Sequence, residues 1–392
     1  MMAAAPRWIW QLANWPDFIC DQPAVIEALA EAYRLHGIME GKAAAIGLTS
    51  TNEVALAAMA DEVLTTAAIE GQTLSMDAVR SSVKRRLGLK ADGPVNRSVD
   101  GLVAVIADAT EAHDLPLDVD RLCRWQSALF PGGTSGIQRI AVGRFRDHED
   151  PMQIVGGRPG REVVYYEAPP SKNVPVEVER FLAWFNGTTP GRGPSPRLDG
   201  LARAAIAHLW FESIHPFEDG NGRIGRAIVD MAVAQYLKTP IRLFSLSRQL
   251  LDSRADYYDH LNACQRDSLD ATTWVNWFVQ KCAAAYAKAG NTIDQALVKR
   301  RFLEQDAVSE LNERQRRVLQ RLLDDGDGGF LGGLNAEKYG KMTGASKPTA
   351  TRDLAAMVKR ELLWTTGAGK ALRYYVNVPG WKHGTEPETR AR

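Results

Sequence analysis

The most informative stretch is His215-Pro-Phe-Glu-Asp-Gly-Asn-Gly-Arg-Ile-Gly-Arg226, whose glycines interrupt a helical pattern that is present on either side. Apolar residues recur at three- and four-residue intervals over residues 198–213 before it and 222–237 after it. The same spacing predicts further helices over residues 23–35, 52–70, 76–87, 99–113, 118–129, 174–186, 254–265 and 272–289. The predicted fold class is therefore mainly α.

The glycines of this stretch predict a site for a negatively charged ligand. Gly220, Asn221 and Gly222 allow the backbone to approach a ligand closely, and the helix that follows presents free N–H groups at its positive end. Arg223 and Arg226 are three residues apart, so both guanidinium groups project from one side of the first turn. Successive phosphates are the ligand that this arrangement favours.

Three other side chains of the stretch suit a reaction at a phosphate. Asp219 precedes the glycines and offers a carboxylate to a divalent cation that bridges phosphate oxygens. His215 has an ordinary pKa near ~6.5, which suits removal of a proton from an attacking hydroxyl. Phe217 is interpreted as an apolar anchor that fixes the loop, because an aromatic ring takes no part in such a reaction.

The net charge, the cysteines and the apolar pattern exclude several classes of protein. Lys and Arg number 48 against 47 Asp and Glu, so no global field favours nucleic acid or an anionic membrane as the main partner. The 4 cysteines have no paired spacing, which speaks against a disulfide framework and a thiolate metal site. No stretch approaches a membrane span of ~20 apolar residues, and the start of the chain lacks a signal-peptide core. We expect a soluble, cytoplasmic protein that does not bind a membrane.

The ordered string resembles the signature of the Fic family, His-x-Phe-x-Asp/Glu-Gly-Asn-Gly-Arg-x-x-Arg, at every defined position. The resemblance implies a Fic-type helical core that transfers AMP from ATP to a Tyr, Ser or Thr hydroxyl of a target protein and of itself. It implies His215 as the catalytic base and Asp219 as the ligand of Mg²⁺ or Mn²⁺. The nucleotide-binding residues that it implies are Gly220, Asn221, Gly222, Arg223 and Arg226, the last of these at the γ-phosphate.

Two further segments resemble parts of the Fic family. Short β-prone runs at Met152–Val155 and Val163–Tyr166, around a turn-rich segment at residues 156–160, predict a β-hairpin. This hairpin resembles the family's flap, which binds the backbone of the target by strand addition, and an ordinary structural hairpin is the alternative. Tyr258 and Asn262 resemble the adenosine contacts of the helix that closes the nucleotide site, although a tyrosine on an amphipathic helix also suits the core.

Thr66-Ala-Ala-Ile-Glu70-Gly71 fits the inhibitory pattern Ser/Thr-x-x-x-Glu-Gly/Asn of many Fic enzymes. The resemblance predicts an inhibitory helix at about residues 52–71 and autoinhibition by Glu70. A Glu70 carboxylate paired with Arg226 would occupy the guanidinium that receives the γ-phosphate, so ATP would bind unproductively. A plain helix end is the alternative interpretation.

Residues 311–376 resemble a winged helix-turn-helix. Its predicted elements are helices Glu313–Leu323, Asn335–Met342 and Pro348–Arg360 and a strand pair ending with Leu372–Val378. Basic side chains modestly outnumber acidic ones in this region, so DNA is one predicted partner. The candidate DNA contacts are Lys347, Thr349, Thr351 and Arg352. The alternative is that this module forms a homodimer or docks the target protein.

The predicted domains are an N-terminal helical module with the inhibitory helix (1–110), a Fic catalytic core (111–290), a winged helix-turn-helix (291–380) and a disordered tail (381–392). The predicted function is an autoinhibited protein adenylyltransferase. One alternative is a hydrolase that removes AMP from a modified protein at the same site, with Glu70 positioning a water. The other is a DNA-binding regulator whose Fic core only senses a nucleotide. An intact His215 favours an enzyme, since a sensor needs no base.

Overall fold

The structure is a computed structural model that describes residues 8–91, 93–158, 161–191, 198–239, 242–324, 326 and 332–381. The predicted loop at residues 187–196 lies partly outside these ranges, and the predicted tail lies outside them from residue 382 onward. The chain forms two compact units, Met1–Asn291 and Thr292–Arg392. Across the described ranges, no helix combines the length and apolar character that crossing a membrane requires.

The first unit is mainly helical. Its helices are α1 (Gln22–Ile69), α2 (Met76–Arg86), α3 (Arg97–Glu111), α4 (Val119–Leu129), α5 (Val174–Gly187), α6 (Gly200–Ile214), α7 (Asn221–Leu237), α8 (Leu246–Asp252), α9 (Arg254–Cys264) and α10 (Thr272–Leu303), which continues past the end of the unit. Its strands are β1 (Thr134–Ser135), β2 (Gln138–Arg139), β3 (Gln153–Arg158) and β4 (Arg161–Glu167). β1 pairs with β2 and β3 pairs with β4, both antiparallel.

Helix α1 is one continuous helix of 48 residues, whereas the sequence predicts two helices that break between residues 35 and 52. The prediction is wrong here. Each glycine in the intervening segment costs about 1 kcal/mol in a helix, and this local cost favours a break. Met39, Ala43 and Ile46 are buried at helical spacing, so packing compensates for that cost. Glu70 therefore follows a helix much longer than the predicted inhibitory segment.

Helices α6 and α7 form the centre of the first unit. Every residue of α6 is buried, as expected for a helix that is surrounded by other elements on all sides. Gly225 of α7 allows close approach, because a β-carbon there would lie 2.4 Å from Glu212 Oε1 and 3.0 Å from His208 Nδ1. The loop that joins α6 to α7 is thus held between two tightly packed helices.

The short helix α8 is absent from the sequence prediction, since 7 residues are too few to show a clear apolar repeat. Ser245 begins α8 by accepting the backbone N–H of Arg248 at 3.2 Å, which is the usual role of serine at a helix start. This helix matters for the site because it holds the C-terminal part of α1.

The predicted hairpin is present as β3 and β4, and Pro159 and Gly160 of its turn lie outside the described ranges. The register shifts between Ile154 and Val155, where a bulge interrupts the pairing. Tyr166 of β4 is fully buried, and its hydroxyl donates to the Ser213 carbonyl at 2.7 Å. This bond ties the hairpin to the last turn of α6, two residues before His215.

The second unit has a hydrophobic core of its own. Its helices are α11 (Asp306–Ser309), α12 (Glu313–Asp324), α13 (Ala336–Thr343) and α14 (Lys347–Lys359), and its strands β5 (Leu363–Thr366) and β6 (Arg373–Val376) pair antiparallel. Val318, Leu354 and Tyr374 belong to the buried cluster that joins these elements. Ser346 begins α14 by accepting the Thr349 N–H, and Gly344 ends α13 in the left-handed region.

Candidate active site

His215 lies at the C-terminal end of α6 in the left-handed backbone region, with a φ of 49°. Its N–H still donates to the Phe211 carbonyl at 3.0 Å, so the helix is closed before the chain turns away. A left-handed backbone is uncommon for a residue other than glycine and needs support from the surrounding structure. Such support fixes the direction in which the loop leaves α6.

The imidazole of His215 is mostly buried, and burial lowers its pKa to about 4. The positive charge of Arg146 also lowers this pKa, whereas the backbone of Glu212 raises it. The carboxylates of Glu70 and Asp219 raise it to a smaller extent. The ring is therefore neutral at neutral pH, which is the protonation state that can accept a proton.

Asn221 braces the loop with its side chain. Its Oδ1 accepts the Phe217 N–H at 2.9 Å, and its Nδ2 donates to the Phe217 carbonyl at 2.8 Å. The Phe217 ring is fully buried and packs against Phe145 at 5.4 Å between ring centroids. Because its side chain is used in this way, Asn221 can offer a ligand only its backbone, and Phe217 lies in the core as the sequence predicts.

The N-terminal end of α7 is open for an anion. Gly220 precedes it in the left-handed region with a φ of 93°, and no side chain caps the helix. A β-carbon at Gly220 would lie 3.0 Å from the Phe130 ring, so both its conformation and its surroundings favour glycine. The first N–H groups of a 17-residue helix therefore point out of the loop with the positive end of the helix dipole behind them.

Arg223 lies beside this helix end and is buried. Its guanidinium stacks on the Phe130 ring at 4.8 Å and makes long hydrogen bonds, each 3.4 Å, to Asp219 Oδ1 and Gln72 Oε1. Burial lowers the pKa of Arg223, with the charge of Asp219 acting in the opposite direction. An arginine held by a ring and by weak polar contacts retains donors for a phosphate.

Arg226 is hydrogen-bonded to the end of α1. Its Nη2 donates to Glu70 Oε1 at 2.7 Å and to the Thr66 carbonyl at 3.0 Å, and its Nε donates to Thr66 Oγ1 at 2.6 Å. Burial lowers the pKa of Arg226, but the charge and hydrogen bond of Glu70, together with the nearby Tyr257 and Glu212, raise it further than burial lowers it. The structure thus brings together Thr66 and Glu70 of the inhibitory pattern and the last arginine of the loop.

Gly222 makes this pairing sterically feasible. A β-carbon on Gly222 would lie 2.2 Å from Glu70 Oε1 and 3.1 Å from Arg226 Nη1. The Glu70 carboxylate therefore sits directly over the first turn of α7, where an anion would be expected to bind. It remains 30% exposed, so solvent reaches it.

The C-terminal part of α1 is tied to the core two turns before Glu70. The buried Glu62 pairs with Arg242 at 3.1 Å, and it accepts hydrogen bonds from the Ser245 hydroxyl at 2.8 Å and the Ser247 N–H at 3.2 Å. Beside it, Asp61 forms an ion pair with Arg248 of α8. These contacts fix the position of α1 independently of Glu70.

Asp219 lies at the other side of the loop with its side chain 37% exposed. One carboxylate oxygen accepts the Ser135 hydroxyl, and the other accepts the Gly220 N–H and the weak bond from Arg223. Across the part of the chain that the structure describes, no group of three or more His, Cys, Asp or Glu side chains could hold a metal ion. Any cation at Asp219 would therefore take its remaining ligands from a phosphate and water.

Tyr258 of α9 also comes close to Glu70. Its phenol is half-buried, and burial raises its pKa, with the charge of Glu70 acting in the same direction. Arg254 stacks on the ring at 5.3 Å and donates to the Ile69 carbonyl at 3.0 Å, which joins α9 to the end of α1. Asn262 is half-buried one turn further along, and its carbonyl accepts the Gln265 N–H at 3.3 Å.

Sequence reasoning misses two buried groups beside His215. Arg146 donates from Nε to the His215 carbonyl at 2.7 Å. Glu212 places Oε2 at 3.8 Å from His215 Nδ1, and burial raises the pKa of its carboxyl to about 8. Helical spacing offers a signal for Glu212, since it precedes His215 by three residues. Nothing local signals Arg146, which lies 69 residues away along the chain.

Comparison with known proteins agrees with this geometry. Residues 116–233 match the model of the Fic/DOC family, and residues 8–89 match a domain of unknown function, DUF4172. A protein adenylyltransferase Fic of Nematostella vectensis is 23% identical over 219 residues, which cover 55% of this chain and 44% of that protein. The protein of the same name from Drosophila willistoni is 28% identical over 174 residues, covering 41% of this chain and 29% of its own length. The chain thus spans less than half of these relatives.

A solved structure supports the fold. The chain is similar to a Fic family protein from Desulfovibrio desulfuricans with a TM-score of 0.51 and 21% identity, and the match covers 91% of this chain and 97% of that one. At this identity the likeness concerns the fold alone. The matched family region contains the whole loop from His215 to Arg226, while Glu70 lies in the other matched region. Residues 116–233, which include the loop, are therefore the part of this chain that is similar to the Fic/DOC family.

Proposed function

We propose that this chain is a protein adenylyltransferase that moves AMP from ATP to a hydroxyl of a target protein and of itself, and that Glu70 inhibits it. The observation that carries the proposal is the pair between Glu70 and Arg226 at 2.7 Å, directly over the open end of α7. A carboxylate held in a phosphate site is the expected form of an internal inhibitor. The names of the relatives support the transferase activity at the level of the family.

The nucleotide site is proposed at the first turn of α7. The triphosphate of ATP would meet the N–H groups after Gly220 and the guanidinium of Arg223. The γ-phosphate would take the place of the Glu70 carboxylate on Arg226, because both are anions that accept hydrogen bonds from the same nitrogen. The half-buried Tyr258 is proposed to contact the adenosine, with Asn262 one turn away on the same helix.

His215 is proposed as the general base. Its neutral ring would take the proton of the target hydroxyl, whose oxygen then attacks the α-phosphorus. A new oxygen–phosphorus bond forms as the bond to the β-phosphate breaks, and pyrophosphate leaves with the electron pair. Positioning of the two reactants and charge neutralisation by the arginines would supply most of the acceleration.

The residues around Asp219 fit a magnesium ion. The carboxylate is partly exposed beside the anion site, and hard oxygen ligands are those that Mg²⁺ prefers, with few protein carboxylates per site. We propose that Asp219 would hold this ion, which when bound neutralises charge on the phosphate oxygens. Manganese has the same ligand preference.

The hairpin is proposed to bind the target. Val155 and Val163 are 53% and 52% exposed, so apolar side chains of the pairing strands face solvent. Tyr166 anchors β4 to the Ser213 carbonyl at 2.7 Å, which keeps the hairpin next to His215. A target segment that adds to the hairpin edge would present its hydroxyl to the base.

The reverse reaction remains a second candidate on one observation. The Glu70 carboxylate binds Arg226 through Oε1 and stays 30% exposed, so a water can approach it beside the loop. Such a water could attack the phosphorus of the AMP group on a modified side chain. A new oxygen–phosphorus bond would form as the bond to the side-chain oxygen breaks, which releases AMP and restores the hydroxyl. A pre-modified target distinguishes the two directions, because only this candidate predicts release of AMP that Glu70 promotes.

The second unit is proposed as a DNA-binding winged helix. Lys347, Arg352 and Lys359 are exposed on α14, whereas the acidic Asp353 of this helix is buried and accepts the Tyr339 hydroxyl at 2.9 Å. The surface of α14 is therefore cationic, as binding to phosphates requires. Affinity for duplex DNA should fall steeply as salt rises, and absent or salt-insensitive binding would favour a role in dimerisation or target docking.

The transferase proposal is tested with ATP labelled in its α-phosphate. The purified chain is incubated with labelled ATP and Mg²⁺, alone and with cell lysate, and adducts are located by mass spectrometry. Addition of AMP to a Tyr, Ser or Thr hydroxyl supports the proposal. Failure of both the wild type and Glu70→Gly to modify any protein, while ATP binding is intact, would contradict it.

A further inference from the structure

Arg146 is a buried arginine outside the loop, and it binds the backbone of His215. Arg146 is only 2% exposed. Its Nε donates to the His215 carbonyl at 2.7 Å, and its Nη2 donates to the Ile214 carbonyl at 3.2 Å. These are the last carbonyl groups at the end of α6, which lack partners within the helix. Arg146 therefore satisfies the end of the helix at the residue that adopts the left-handed conformation.

The same guanidinium reaches the segment that follows the hairpin. Arg146 Nη2 donates to the Pro169 carbonyl at 2.6 Å, and Nη1 donates to Ser171 Oγ at 2.9 Å. Pro169 and Ser171 follow the end of β4 at Glu167. One side chain thus joins the loop of His215 to the base of the hairpin.

The backbone around Arg146 adds to this connection. Its N–H donates to the Pro216 carbonyl at 3.0 Å, and the preceding Phe145 packs on Phe217 at 5.4 Å. The two residues 145 and 146 therefore contact four consecutive residues of the loop, 214 to 217. Such a contact fixes the path of the loop from Ile214 to Phe217.

The chemistry of the contact explains why an arginine is present. Burial lowers the pKa of Arg146 to about 10, so the group stays charged at neutral pH. Within the described residues no carboxylate forms an ion pair with it, and its hydrogen bonds go to three carbonyls and a hydroxyl. Burying a charge in this way costs free energy. The planar guanidinium offsets this cost because its several donors bind several segments of the chain at once.

We propose that Arg146 is a positioning residue for AMP transfer: it holds His215 in its left-handed conformation and couples the catalytic loop to the hairpin that presents the target. The inference rests on the proposed function. Its effect would be on the transition state, because the His215 ring must meet the hydroxyl in one geometry. The nucleotide site at α7 should be left intact.

The test compares Arg146→Ala and Arg146→Lys in a Glu70→Gly background, in which inhibition is removed. We expect kcat for self-modification to fall about 100-fold in Arg146→Ala, the cost of a misplaced catalytic group, with KM for ATP unchanged. Arg146→Lys should recover little, because lysine lacks the fork. Added guanidinium at a concentration below denaturation should restore part of the rate to Arg146→Ala. Arg144→Ala is the matched control, since Arg144 is exposed and pairs with Asp147.

A second measurement uses the wild-type background and needs no activity. In nuclear magnetic resonance titrations, Arg146→Ala should raise the pKa of His215, because a nearby positive charge is removed, while Arg146→Lys should keep it low. A kcat loss no larger than in Arg144→Ala, or an unchanged His215 pKa in Arg146→Ala, would overturn the positioning role. If Arg146→Ala does not fold, the kcat of Arg146→Lys is compared with that of Arg144→Ala instead, and a loss no larger than in Arg144→Ala would again overturn the positioning role. If no variant transfers AMP, the proposed function fails while the titration still tests the contact.

Discussion

Two helix ends of opposite charge meet at the candidate active site. The N-terminal end of α7 presents free N–H groups with Arg223 and Arg226, and it would attract an anion. The C-terminal end of α1 carries Glu70, a carboxylate at the helix end where negative charge is least favourable. Glu70 thus gains nothing from its own helix and is stabilised by the other one. In the proposed function, Glu70 at the end of α1 takes the place of a phosphate.

Removal of the base should have the largest effect on the α7 side. His215→Ala in the Glu70→Gly background should lower transfer about 100-fold or more, while ATP affinity stays close to that of the parent. The reason is that the base acts on the hydroxyl and not on the nucleotide. Rates from labelled ATP and a nucleotide-binding titration measure the two quantities. A variant that kept more than about a tenth of the rate would remove His215 from its assigned role.

Removal of the substitute anion should have the next largest effect. Glu70→Gly should raise self-modification about 10- to 100-fold, because a charge-assisted hydrogen bond of about 1.5–3 kcal/mol no longer competes for Arg226. Glu70→Gln keeps the shape without the charge and should gain less. The gain should vanish in Glu70→Gly combined with Arg226→Ala. An unchanged rate in Glu70→Gly would end the autoinhibition hypothesis.

The contact between α1 and Arg226 can be weakened without touching Glu70. Thr66→Val removes the hydroxyl that accepts Arg226 Nε at 2.6 Å, and it should raise self-modification about two- to tenfold. Thr65→Val is the matched control, because Thr65 is also buried but donates to the Asp61 carbonyl. Equal rates for the two variants would show that Thr66 does not stabilise the inhibited state.

Truncation of the second unit should have the smallest effect. A chain of residues 1–303 keeps α10 complete and retains both helix ends, so its self-modification should match that of the full chain. A large loss of rate would mean that the two helix ends are not sufficient for transfer. Thermal unfolding of the fragment should accompany the assay, to separate loss of folding from loss of activity.

The sequence predicts the loop at the start of α7 better than it predicts the residues that pack around this loop. The loop from His215 to Arg226 is contiguous, so its order of residues indicates a phosphate site without knowledge of distant parts. Asn221 is the exception, because only the fold reveals that its side chain braces Phe217. Arg146 escapes sequence reasoning, since its role arises when residues far apart in the chain come together.

The sequence predicts only part of helix α1 correctly, for a different physical reason. Glu70 and its pairing with Arg226 follow from a local pattern and a family resemblance, and the structure places the two side chains in contact. The length of α1 does not follow, because burial of Met39 and Ile46 outweighs the local tendency of glycines to end a helix. Local propensity is overruled where packing supplies more free energy.

The anchoring of α1 through Glu62 and Asp61 affects how quickly Glu70 can release Arg226. Because these side chains hold the helix to the core, Glu70 can leave Arg226 by rotating about its own side-chain bonds while α1 stays in place. Rotamer changes of partly exposed side chains take picoseconds to nanoseconds, far less than domain movements. Under the proposed function, release from inhibition would therefore follow a rise in competing ligand without a lag.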